Sequence, residues 1–301
     1  MKTLLKLLIL SSLFIATVYA DVITYKTPFK GSVLLKPNDD KSYPGVMLLH
    51  GSEGGSIPYT RTIAQALANE GFSVLSFCWF DCANNIFLNP IAPLIDVPLE
   101  KSFEAFNWLK SSKFVDGKKS GIYGFSRGAE QALILASLSE LEKTDISAIA
   151  VHAPSDTIVG GFSWAWFDKR CWVCKQEDDK ACADREKTEL FKWNTACGTN
   201  QPPDESGYKF VKAWTYGKKA LNIGDMINIE SYQKPLYISH GSKNHLWSFE
   251  RSKRIVKRLK KHKQPVQTHF VEGAGHVFRF KDAVKEHQLV TDFFKNNLSN
   301  N

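Results

Sequence analysis

Short apolar runs bounded by Gly, Pro or Asn alternate along the chain with longer stretches whose apolar residues return every three or four positions. The first pattern predicts strands at residues 46–49, 72–77, 121–124, 146–151, 236–239 and 268–271, with 32–35 as an antiparallel strand ahead of them. The second predicts helices at 59–69, 99–110, 127–141, 248–261 and 283–296. Strands alternating with helices are the sequence form of βα units. The expected architecture is therefore α/β, a mostly parallel central sheet flanked by helices.

The alternation breaks once. From about 160 to 227 it gives way to Trp164, Trp166, Trp172, Trp193 and Trp214 together with Cys171, Cys174, Cys182 and Cys197. An insertion this long between sheet strands predicts a cap over the site of chemistry, with a cross-linked surface excursion as the alternative. At the other end, Lys2 and Lys6 precede the apolar stretch 7–16, and small or neutral residues stand at Val18 and Ala20. This predicts a signal peptide over 1–20 and a domain over 21–301 that is secreted or periplasmic; the apolar stretch is short for a bilayer span, so an uncleaved anchor is the weaker alternative. No second stretch approaches the length of a span.

Charge and cysteine usage change this picture little. The formal charge is +8, but much of the excess sits in the helix 253–263, where Ile255, Val256 and Leu259 share one face, so a solvated helix face is expected and no nucleic-acid partner. An exported chain with six cysteines favours disulfides, a local Cys78–Cys82 bridge and others within Cys171, Cys174, Cys182 and Cys197. A zinc site at Cys171-Trp172-Val173-Cys174 is the lesser alternative, since no histidine is near. Neither metal nor cofactor is expected.

The chemistry is concentrated in three segments. Gly124-Phe125-Ser126-Arg127-Gly128 follows a predicted strand and opens a predicted helix. Glycines on both sides permit a sharp turn that exposes the Ser126 hydroxyl as a nucleophile, with the Arg127 backbone N–H facing a developing oxyanion. The run His50-Gly51-Ser52-Glu53-Gly54-Gly55 after the strand 46–49 predicts the second oxyanion donor at Ser52. Gly273-Ala274-Gly275-His276 after the last strand predicts His276 as the general base. His50, His152, His240 and His245 also lie near strand ends and are expected to be structural.

The acid that should orient the base is missing from its usual place. After the strand 236–239 the chain reads His240-Gly241-Ser242-Lys243-Asn244, and no carboxylate follows until Glu250. Three solutions stay open: Asn244 as the orienting group, Asp156 reaching in from the neighbouring loop, or another carboxylate. An amide can hold an imidazole but cannot stabilise its cation by charge.

These residues make the chain similar to the catalytic domain of acyl-CoA thioesterases and bile-acid-CoA:amino-acid N-acyltransferases, which resembles dienelactone hydrolases. The resemblance runs from Pro44 to the C-terminus and rests on Pro44-Gly45-Val46 leading to Gly54-Gly55, on Gly124-Phe125-Ser126-Arg127-Gly128-Ala129-Glu130, and on Asn244-His245-Leu246-Trp247 with Gly275-His276. It implies the α/β-hydrolase fold, Ser126 as nucleophile, His276 as base, and an aspartate where Asn244 stands. The expected activity is hydrolysis of a small-molecule carboxylic ester or thioester through an acyl-Ser126 intermediate. A binding protein that keeps the fold with weakened or lost turnover is the alternative that Asn244 raises.

Overall fold

The computed structural model describes residues 21–55, 58–82, 94–161, 172–174, 191–193 and 212–299. The predicted signal segment 1–20 and most of the expected cap, with Trp164, Trp166, Cys171, Cys182 and Cys197, lie outside the described residues.

Eight strands form one sheet: β1 (Val22–Lys26), β2 (Val33–Pro37), β3 (Tyr43–Leu49), β4 (Ser73–Phe77), β5 (Val115–Phe125), β6 (Ala148–His152), β7 (Leu236–Gly241) and β8 (Val266–Val271). Their order is β1-β2-β4-β3-β5-β6-β7-β8. The β1–β2 and β2–β4 pairs are antiparallel, and all pairs from β4 to β8 are parallel. Helices α1 (Pro58–Asn69), α2 (Glu100–Ser111), α3 (Arg127–Leu138), α4 (Phe249–Lys261) and α5 (Phe280–Leu298) make the crossovers and the C-terminal layer.

Inner strands such as β3 and β6 read as near-continuous apolar runs because both sheet faces are covered there. On β3, Val46 and Leu48 face the layer that holds Leu67 of α1 and Phe293 and Phe294 of α5, whereas Met47 and Leu49 face Phe103 and Phe106 of α2 and Leu133 of α3. Successive side chains of a strand point to opposite faces, so a strand between two helical layers needs apolar residues at every position. In α4, Ser252, Ile255, Val256 and Leu259 are buried while Lys253, Lys257, Lys260 and Lys261 are exposed, the face expected to meet solvent.

Differences from the predicted elements have local causes. β5 begins at Val115, six residues ahead of its apolar run, because Asp116 to Ser120 form a polar lead-in that still pairs with β3 across an irregularity between Tyr43 and Gly45. α3 stops at Leu138, short of the predicted 141. The half-exposed edge strand β1 has no apolar run to announce it and is fixed by its pairing with β2.

The described end of the stretch expected as a cap packs on the main body. A short strand, Trp214–Tyr216, pairs in parallel with Val97–Pro98, and Trp214 is fully buried with its indole N–H donating to Glu130 of α3 at 3.0 Å. Among the described residues no helix is long and apolar enough to cross a membrane.

Candidate active site

Ser126 is the single residue between the end of β5 and the start of α3, with φ 53° and ψ −116°. L-residues rarely adopt this conformation, and a tight strand-to-helix turn requires it. The flanking glycines are what permit it. A Cβ on Gly124 would lie 2.3 Å from the Gly128 carbonyl oxygen, and one on Gly128 would lie 2.3 Å from that of Leu49. Helix α3 therefore starts against the backbone of β5 and β3, and the Ser126 N–H is held by the His152 carbonyl at 3.0 Å.

His276 arrives from β8 through Gly273-Ala274-Gly275. This loop crosses the end of β7 at Gly241, where a Cβ would lie 2.3 Å from the carbonyl oxygens of Ala274 and Gly275. The His276 Nε2 lies 3.0 Å from Ser126 Oγ. Both groups are buried, and the imidazole pKa is pushed down to about 3, chiefly by burial and then by His152, His240 and His245. The ring is therefore neutral at ordinary pH, as a proton acceptor must be at rest.

The other ring nitrogen faces Asn244. Asn244 Nδ2 is 2.9 Å from His276 Nδ1 and 2.9 Å from His240 Nε2. Its Oδ1 accepts the backbone N–H groups of Leu246 and Trp247, each at 3.0 Å. Two donors aimed at one oxygen fix which end of the amide is which. The His240 Nε2 must carry a proton, because the Trp247 carbonyl 3.1 Å away can only accept; its Nδ1 then accepts from Ser252 Oγ at 2.7 Å. The Asn244 amide N–H is consequently left to donate to His276 Nδ1. That puts the His276 proton on Nε2, pointing at the serine: the inverse of the tautomer a general base requires. A 3.2 Å approach of Asn244 Oδ1 to His276 Nδ1 leaves the working tautomer reachable at a cost.

Asp156 stands elsewhere. Its carboxylate takes Arg254 Nε at 2.5 Å and Nη2 at 2.8 Å, with Arg251 Nη1 at 3.4 Å, so it serves the N-terminal half of α4. Of the two groups considered for orienting the base, the structure brings Asn244 to His276.

A family model described as "BAAT / Acyl-CoA thioester hydrolase C terminal" matches residues 97–281, more than half the chain and a span that holds Ser126, Asn244 and His276. The chain belongs to that family. Human acyl-coenzyme A thioesterase 6 is 33% identical to this family member over 110 residues, 36% of this chain and 24% of that protein. Mouse acyl-coenzyme A thioesterase 6 is 25% identical over 249 residues, 81% of this chain and 51% of that protein. The chain thus spans about a quarter to a half of the length of these curated relatives. Among solved structures, carboxyl esterase 2 from the fungus Tuber melanosporum aligns with a TM-score of 0.58 at 17% identity, covering 96% of this chain and 90% of that one. A truncated carbohydrate esterase from gut microbiota gives the same TM-score at 13% identity, covering 92% and 96%. These likenesses show the α/β-hydrolase fold.

In this family member the loop after β3 comes close to Ser126. A Cβ on Gly51 would lie 3.1 Å from Ser126 Cβ, and Ser52 is the next residue in that turn. Glu53 was not singled out from the sequence, yet its carboxylate accepts the Gly51 N–H at 2.9 Å and its Oε2 fills the space beside Gly51, 2.4 Å from where a Cβ would be. Burial raises its pKa, offset by its own N–H and that of Gly51. The available signal was a carboxylate between glycines at the end of a buried strand.

Behind the loop, the sulfur atoms of Cys78 and Cys82 are 1.98 Å apart, and Cys78 Sγ lies 2.2 Å from where a Cβ on Gly55 would be. On the other side, the Arg127 backbone N–H belongs to the first turn of α3, where no intrahelical acceptor exists. Its buried guanidinium pairs with Glu130 at 2.7 Å, donates to the Gly160 carbonyl at 2.9 Å, and lies over the Trp214 and Trp247 rings.

Proposed function

We propose that this chain is a serine hydrolase that cleaves a carboxylic ester or thioester through an acyl-Ser126 intermediate, and that Asn244 slows it. The observation that carries the reading is the 3.0 Å contact between His276 Nε2 and Ser126 Oγ at a strained strand-to-helix turn. Once the His276 proton moves to Nδ1, Ser126 Oγ attacks the substrate carbonyl carbon and its proton passes to Nε2. The oxyanion is met by the Ser52 and Arg127 backbone N–H groups. Nε2 then protonates the departing alkoxide or thiolate, and water, deprotonated by the same nitrogen, releases the acid and restores the serine. Thioester substrates are supported by the names of the curated relatives, and oxygen esters by those of the structural neighbours.

A location outside the cytoplasm is part of the proposal, supported by the basic-then-apolar segment 1–20 and by the Cys78–Cys82 pair in an oxidising compartment. N-terminal sequencing of protein recovered from its native compartment should begin at Asp21.

The second reading, a binding protein without turnover, is favoured by one observation, the amide at position 244. Labelling with a fluorophosphonate separates the two. Ser126-dependent labelling, lost in Ser126→Ala, supports the hydrolase; folded protein that is not labelled supports the binding protein.

A further inference from the structure

A second chain of buried polar groups, none of it used by the reaction above, reaches the backbone of His276, where Asn244 reaches the ring. The Tyr237 hydroxyl donates to Glu286 Oε2 at 2.7 Å, and Ser239 Oγ lies 2.5 Å from Glu286 Oε1. His152 Nδ1 is 2.9 Å from the same Ser239 Oγ, and His152 Nε2 is 2.8 Å from the His276 backbone carbonyl. That carbonyl can only accept, so Nε2 carries a proton whichever way the rest of the chain is arranged. The His152 ring is clamped: Phe125 stacks on it at 4.8 Å and 2°, and Phe278 meets it edge-on at 4.6 Å.

Three features separate this arrangement from ordinary core packing. A histidine, a serine and a glutamate are all buried at one point, which costs free energy unless each is bonded, and each is. The groups come from β6, β7 and α5, so the chain ties three separate elements to the loop that carries the base. A cavity of about 170 Å³, lined by Tyr123, Phe125, His152, Phe278, Glu286 and Val290, also adjoins the ring, so close packing alone does not hold this corner. The base loop has its other bonds further back, from Lys243 N–H to the Ala274 carbonyl at 2.9 Å and from Gly273 N–H to Ser242 Oγ at 2.9 Å. Those bonds end at Ala274, so the bond from His152 is the one that reaches the backbone of His276 itself.

We propose that His152 is a positioning residue for the base: oriented by Glu286 through Ser239, its Nε2–H holds the His276 carbonyl and thereby keeps the His276 ring within reach of Ser126. The proposal rests on the Ser126–His276 reading. It matters more here than with an aspartate at 244, because a neutral amide grips the imidazole weakly and the backbone bond must carry more of the alignment.

Two substitutions separate positioning from structure. In His152→Gln the amide N–H reaches about as far as Nε2 and keeps the bond to the carbonyl. In His152→Asn it reaches only as far as Nδ1, keeping Ser239 and losing the carbonyl. With p-nitrophenyl butyrate, His152→Asn should lower kcat roughly 10–100-fold with KM within about twofold, the scale of a misplacement near 1 Å, and slow fluorophosphonate labelling of Ser126 in proportion. His152→Gln should stay within about threefold of the parent protein on both measures. Should His152→Asn fail to fold, Ser239→Ala keeps the imidazole without its orienting partner and should lower kcat about three- to tenfold at constant KM. His152→Asn at full kcat, equal losses in both His152 variants, or an unaltered Ser239→Ala in the fallback case overturns the proposal. A parent protein that shows no Ser126-dependent labelling overturns the hydrolase reading beneath it.

Discussion

The turn at Ser126 and the turn at Asn244 are both locked by backbone contacts, yet under the proposed hydrolase mechanism one favours catalysis and the other works against it. At the first, Gly124 and Gly128 leave no room for side chains and the strained Ser126 has one place to point. At the second, the Leu246 and Trp247 N–H groups hold Oδ1 of residue 244 where a carboxylate oxygen would sit, leaving the other terminal atom against His276. With an aspartate that atom would be an oxygen accepting the Nδ1 proton. Here it is an amide nitrogen that donates. Rigid geometry preserves whichever chemistry is placed in it, and the nearer terminal atom of residue 244 sets the hydrogen bond offered to His276, 32 residues further along the chain.

The strongest way to break this comparison is to equalise the turns. Asn244→Asp should raise kcat on an activated ester by about 10²–10⁴, reversing the cost of a wrongly held tautomer, with the fold retained by circular dichroism. An unchanged kcat would mean that Asn244 does not govern the base. Damage to the rigid side should be nearly as severe: Gly128→Ala drives a Cβ into the Leu49 carbonyl and should cost about 2–4 kcal/mol in urea unfolding. A separate effect, on stability against pH, follows from burial. His276 is depressed to about 3, and His50 and His240, both chiefly by burial, to about 4. In the unfolded chain they would take up protons near 6.5, so the unfolded state binds more protons throughout the window between. Stability should accordingly be full above pH 6.5 and fall steadily toward pH 4, measured as the urea midpoint at several pH values. The smallest effect is expected at Asp156, whose carboxylate serves Arg251 and Arg254; Asp156→Asn should leave kcat within about threefold, and a hundredfold loss would reinstate it as the acid.

Much of the fold was legible because its signals are local. The all-apolar run of β3 needs only the knowledge that strands between two helical layers bury both faces, and the Ser126 turn announces itself within five residues. The polar lead-in of β5 and the edge strand β1 were illegible for the converse reason: neighbouring strands hold them, and nothing in their own composition does. Glu53 was in plain view but had no distinguishing mark until the loop folded its carboxylate back onto Gly51.

The sequence by itself determined the alternation of elements, the places of Ser126 and His276 in that order, and the absence of a carboxylate at position 244. Only the tertiary structure decided the rest. It set which end of the Asn244 amide faces His276, through two backbone donors no sequence pattern displays. It placed Asp156 with Arg254, 98 residues away, and not with His276. It also joined His152 to His276, 124 residues apart, through a hydrogen bond. Residue types and short spacings are written along the chain, but the direction of a hydrogen bond depends on which groups the fold leaves opposite one another.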